Sequence, residues 1–128
     1  MMDVNALSHR IIGAAIEVHR ALGPGLLESA YEECLCHEFK LSDLSFERQK
    51  RLPVVYKGMK LDCGYRLDLV VESAIILELK SCEGIEPIHK AQLLTYLKLS
   101  ELNLGLLLNF NVPVMRNGIL RIVNNFGE

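Results

Sequence analysis

Apolar residues recur along this chain with two different periods. From Val4 to Leu22 they fall at Val4, Leu7, Ile11, Ala14, Ala15, Val18 and Leu22, the spacing of one helix face. Gly23-Pro24-Gly25 ends that helix. A second follows to about Leu41, with Leu27, Ala30, Tyr31, Cys34 and Leu35 on its inward stripe. Ser45 to Tyr56 then reads as a strand, irregular at Pro53 and so suited to a sheet edge. Lys57-Gly58 turns the chain into a second strand region ending near Val71, and Glu72-Ser73-Ala74 turns it into a third. Glu86-Pro87 opens a helix to about Ser100, with Ile88, Leu93, Leu94 and Leu97 on its buried side. Leu104 to Phe110 is nearly all apolar, as for a strand covered on both faces. A turn at Asn117-Gly118 leads to a short last strand, Ile119 to Val123. The order α-α-β-β-β-α-β-β predicts an α/β fold in one domain over residues 1–128: a mixed sheet flanked by helices, with one crossover helix.

Charges interrupt two of the most apolar strand segments, Tyr65-Arg-Leu-Asp-Leu-Val-Val71 and Ala74-Ile-Ile-Leu-Glu-Leu-Lys80. A charge in such a place is costly unless it is paired or bound to a metal. With Glu72-Ser73-Ala74 as the hairpin loop, Val71 faces Ile75 and Val70 faces Ile76. Asp68 then lies opposite Glu78, their side-chain roots about 5 Å apart, and Arg66 faces Lys80. The other face, Leu67, Leu69, Val71, Ile75, Leu77 and Leu79, is wholly apolar, so a one-residue slip would break the sorting. Two apposed carboxylates repel unless a cation lies between them. Mg²⁺ or Mn²⁺ suits such a site, since hard ions take carboxylate and water ligands and keep positions open for phosphate oxygens. Lys80 points the same way as Glu78 and is placed to hold or deprotonate an attacking water. The chemistry this predicts is phosphodiester hydrolysis. A buried salt-bridge cluster of Asp68, Glu78, Lys80 and Arg66 is the structural alternative.

Composition narrows the class. Half of the 128 residues are hydrophobic and 23% are charged, which excludes a disordered chain. No apolar run reaches the roughly 18 residues of a membrane span. The opening Met-Met-Asp-Val-Asn-Ala-Leu-Ser-His-Arg has neither a basic leader nor an apolar core, so a cytoplasmic protein is expected. The net charge of −2 argues against an indiscriminate nucleic-acid binder. Arg48, Lys50, Arg51, Lys57, Lys60 and Arg66 nevertheless gather against the single acid Asp62, after an acidic stretch with Glu28, Glu32, Glu33 and Glu38. Such a patch can guide a polyanion, although composition alone favours a solvated hairpin. Cys34 and Cys36 lie about 200° apart around their helix, and Cys63 and Cys82 are isolated, so reduced structural thiols are expected.

The helices add polar groups. Gln92 and Tyr96 stack one turn apart on the crossover helix, with His89 a turn earlier. Glu28, at the start of the second helix, reads on its own as a solvated first-turn acid favoured by the helix dipole.

Gly25-Leu-Leu-Glu28-Ser-Ala-Tyr31 resembles the signature of the GxxExxY proteins, a prokaryotic family within the PD-(D/E)XK nuclease superfamily. The resemblance continues through Tyr65-Arg-Leu-Asp68-Leu-Val-Val-Glu72, Ile76-Leu-Glu78-Leu-Lys80, Ala91-Gln92-Leu-Leu-Thr-Tyr96-Leu and Gly105-Leu-Leu-Leu-Asn109-Phe-Asn111. It implies that Glu28, Asp68 and Glu78 are metal ligands, directly or through water, with the Leu79 backbone carbonyl completing the site. It further implies that Lys80 positions the nucleophile and that Gln92 and Tyr96 contact the site or the DNA backbone, as in RecB-type nucleases. Leu67 stands where the superfamily's name has proline. The resemblance reverses the solvated reading of Glu28.

The expected function is therefore a Mg²⁺- or Mn²⁺-dependent nuclease acting on DNA. A non-catalytic nucleic-acid-binding module that keeps the fold is the alternative, and a structural domain with a charged cluster is a third. Endonuclease or exonuclease action, DNA or RNA preference, and assembly as a homo-oligomer stay open at this level.

Overall fold

A computed structural model describes residues 3–125. Met1 and Met2, part of the opening stretch read above, lie outside the described residues, as do positions 126–128. The elements run α1 (Val4–Leu22), α2 (Glu28–Leu41), β1 (Phe46–Arg51), β2 (Val54–Tyr56), β3 (Met59–Leu61), β4 (Arg66–Val71) and β5 (Ile75–Lys80). They continue with α3 (Pro87–Ser100), β6 (Leu104–Asn109), a 3-10 turn (Met115–Gly118) and β7 (Ile119–Val123). The main sheet has the order β1-β4-β5-β6-β7, antiparallel except for β5 and β6, which α3 joins as a parallel pair. An α/β fold with a mixed sheet is what the sequence predicts. The strand count is not.

Two predicted strands are each broken. Leu52-Pro53 splits the first into β1 and β2, because proline gives no amide to a ladder. The second divides into β3 and β4, and β2 and β3 pair only with each other in a separate hairpin. β1 does sit at the sheet edge, as Pro53 suggests.

Two apolar layers cover the sheet. Leu7, Ile11, Ala15 and Val18 of α1 and Tyr31, Leu35 and Phe39 of α2 pack on Leu69, Val71, Ile75, Leu77, Leu106 and Leu108. Leu93, Tyr96 and Leu97 of α3 pack on Val70, Ile76 and Leu107 from the other side. A Cβ at Gly105 would lie 2.9 Å from Leu93, so glycine is what lets α3 approach β6. Ile88 and Leu27 depart from expectation and stand exposed. Leu27 precedes the first turn of α2 and so lies off its inward stripe.

Tyr31 locks the start of α2. Its ring is fully buried and stacked on Phe110, centroids 4.3 Å apart. Its hydroxyl donates to the Gly23 carbonyl at 2.6 Å and accepts the Leu26 amide at 3.1 Å. The tyrosine of the sequence motif thus closes the α1–α2 loop and fixes where Glu28 emerges. Tyr31→Phe keeps the packing and strands two partly buried backbone groups, for an expected loss of about 1–3 kcal/mol. Denaturant unfolding with an unchanged slope would show it; an unshifted midpoint would refute the lock.

Candidate active site

The β4–β5 hairpin adopts the predicted register, with Val71 opposite Ile75, Val70 opposite Ile76 and Leu69 opposite Leu77. Glu72 and Ser73 both have positive φ and the Ala74 amide donates to the Val71 carbonyl, the pattern of a tight hairpin turn. Past Leu69 the ladder gives way to side chains. The Asp68 amide donates to Glu78 Oε2 at 2.9 Å, and the Leu79 amide donates to Asp68 Oδ2 at 2.8 Å. Each carboxylate is held by the backbone of the strand bearing the other.

A second distortion faces this one. On β1, Arg48 pairs with Leu69 and Lys50 with Leu67, while Gln49, at φ 49°, and Asp68 drop out of the ladder between them. Positive φ at a non-glycine is uncommon and is found at constrained sites. Leu67 consequently packs with the α3 layer rather than beside Leu69, which corrects the single apolar face read from the sequence.

Both carboxyls are pushed toward the neutral form. Burial, and then the charge of Asp68, raises Glu78 to about 8, against a partial offset from the Asp68 amide. Burial also raises Asp68, opposed by its bond from Leu79. Lys80 is half-buried and close enough that its charge favours both anions. Among the described residues no ion pair joins Lys80 or Arg66 to either carboxylate. Arg66, expected opposite Lys80, is exposed, pairs with Arg51 across the sheet and donates to the Tyr65 carbonyl. The salt-bridge alternative therefore lacks its bridges.

The other predicted positions divide. Glu28 is exposed at the first turn of α2, where its Oε2 accepts the Ser81 amide at 3.3 Å, directly after Lys80. Its charge reaches both Asp68 and Glu78. Tyr96 is buried on α3, and burial followed by the Glu78 charge raises its hydroxyl. Gln92 is exposed and, among the described residues, makes no hydrogen bond to a carboxylate. It borders a groove with Tyr96 instead. The Nδ1 of His89 accepts the Glu86 amide and so caps α3.

Two residues gain roles that their residue types alone do not announce. Glu32, one turn after Glu28, is buried and accepts Arg48 at 2.9 Å and Gln49 at 2.8 Å, tying α2 to the strained point of β1. The i, i+4 spacing of Glu28 and Glu32 was the available signal. Asn109, at the end of β6, donates to the Cys82 carbonyl and accepts the Cys82 and Asn111 amides, fixing the chain beyond Lys80. All four cysteines are free thiols, Cys36 buried, Cys34 and Cys82 partly buried and Cys63 exposed.

The raised carboxyls give a signed pH dependence. The folded protein keeps protons that unfolded Asp68 and Glu78 have already released, so stability falls as pH rises from the ordinary carboxyl range through about 8. In chelator, the thermal midpoint should drop between pH 5 and pH 8, and Glu78→Gln should flatten the drop. An equal slope in the variant would count against the assignment.

Among the described residues, no helix is long and apolar enough to cross a membrane. No curated protein and no solved structure gives a significant match to the chain. A family model described as the PD-(D/E)XK nuclease superfamily matches residues 5–122, a span that contains every element from α2 to β6 and all the candidate site residues. The chain belongs to the PD-(D/E)XK nuclease superfamily.

Proposed function

We propose that this protein is a divalent-metal-dependent nuclease of the GxxExxY kind that hydrolyses phosphodiester bonds in DNA, at the end of β4 and β5. The observation that carries the reading is the pair of half-buried Asp68 and buried Glu78, each held by a backbone amide and, among the described residues, with no ion pair to a protein cation.

The donor set fits Mg²⁺ or Mn²⁺. All candidate donors are oxygens, and Mg²⁺ is usually held by one or two carboxylates, with its remaining positions left to water and phosphate. Among the described residues, no three His, Cys, Asp or Glu side chains are grouped to hold a metal ion unaided. Asp68 and Glu78 would thus be the direct side-chain ligands, with the Leu79 carbonyl beside them and Glu28 acting through water. When bound, the ion would polarise a phosphate oxygen and lower the pKa of water.

The chain's own groups do the rest. The two backbone bonds hold Asp68 and Glu78 in place before substrate arrives, so no reorganisation is needed during reaction. Lys80 donates from its ammonium to the attacking water or to a non-bridging phosphate oxygen. As water attacks phosphorus, it gives a proton up to solvent, the bond to the leaving sugar oxygen breaks and that oxygen takes a proton from solvent, while Lys80 would offset the extra negative charge on the phosphate oxygens. Tyr96 and Gln92 line the approach from α3.

Purified protein incubated with Mn²⁺ and a panel of single-stranded, duplex, nicked and branched DNA should give cleavage that chelator abolishes. Lys80→Ala should slow it about 10²–10³-fold, the usual loss for one charge-stabilising group, and Glu78→Gln should remove it. Cleavage unchanged in both variants would sink the assignment. Salt-sensitive DNA binding without turnover would favour the binding module instead.

A further inference from the structure

A groove of about 430 Å³ lies along α3, walled by Val54, Tyr65, Ile88, Gln92 and Tyr96. Its volume lies within the roughly 300–1,000 Å³ of small-ligand sites. Tyr65 and Ile88 are large apolar side chains left 45% and 66% exposed there, beside Tyr96 at 8%. The Tyr65 and Tyr96 rings stand 6.3 Å apart and tilted by 58°, adjoining walls rather than a closed stack. Tyr96 is common to both places, because the charges of Glu78 and Asp68 act on its hydroxyl while its ring lines the groove.

We propose that this groove takes one unstacked nucleobase of the substrate, so that the protein selects single-stranded nucleic acid over intact duplex. The proposal rests on the phosphodiesterase reading, since Tyr96 is what links the groove to the Asp68–Glu78 pair. Bases of every kind present a flat π-face to an aromatic wall, which makes such a slot tolerant of sequence. The Gln92 amide offers both a donor and an acceptor to a base edge. Arg66, next to Tyr65 in the chain, is exposed and donates to the Tyr65 carbonyl, and its guanidinium is a candidate contact for a flanking phosphate. In duplex DNA the base faces are already covered, and the slot would stay unfilled.

The test is equilibrium binding of a labelled single strand, the same strand made abasic, and the matched duplex. Salt is held constant, with Ca²⁺ present as an ion that takes the same oxygen ligands. The normal strand should bind about tenfold or more tighter than either control, and Tyr65→Ala should lose that advantage while Tyr65→Phe keeps it. Equal affinity for normal and abasic strands would overturn the slot, as would a Tyr65→Ala loss shared by the duplex. A dimer that Tyr65→Ala dissociates would overturn it too, by making a second copy the occupant. Cleavage is scored separately. Single-strand preference without metal-dependent turnover supports the slot and refutes the nuclease, whereas no binding to any strand refutes both.

Discussion

Two hydrogen bonds set the terms for the rest of the molecule: the Asp68 amide to the Glu78 carboxylate, and the Leu79 amide to the Asp68 carboxylate. They replace rungs of a β-ladder with side chains, and so bring two acids together where a sheet would ordinarily continue. Backbone bonds of this kind favour the anions, while burial and mutual repulsion oppose them, and for Glu78 the opposition wins. A pair in that condition gains from a cation. The apolar strands around it make the arrangement rigid, because Leu69, Val71, Ile75, Leu77 and Leu79 are committed to the core on one side.

Neighbouring elements serve that point. Tyr31 fixes the loop from which Glu28 emerges, and Ser81, next to Lys80, holds Glu28 by its amide and the loop by its bond to the Leu26 carbonyl. Glu32 absorbs the charge of Arg48 and binds Gln49, the residue whose left-handed backbone opens β1 opposite Asp68. Asn109 ties the chain after Lys80 to the end of the parallel strand pair. In sheets with parallel strands, ligands commonly bind beyond the carboxyl ends, and the candidate site lies at that end of β5.

The pairing of β4 with β5 was legible because alternation and the Glu72-Ser73-Ala74 turn both specify it, and the crossover helix followed from its proline and its period. Leu67 was misplaced because alternation assumes an unbroken strand, and the break comes from Gln49, distant in sequence. The β2–β3 hairpin was hidden for a similar reason: strand propensity continues through Pro53 and Asp62, while pairing does not. Ile88 was assigned to the core by hydrophobicity, yet it stands on a groove wall. Glu28 and Tyr96 could not be assigned from their own surroundings in the sequence, since what gives them meaning is the meeting of α2 and α3 with one hairpin.

The central claim is that the Asp68–Glu78 pair is a cation site kept partly protonated until the ion arrives. Calorimetric titration of Mn²⁺ into the protein at pH 7, repeated in buffers of different ionisation enthalpy, measures binding and proton release together. With Glu78 raised to about 8, binding should release close to one proton, and Glu78→Gln should abolish the release. Absence of Mn²⁺ binding, or binding with no proton released, would contradict the account.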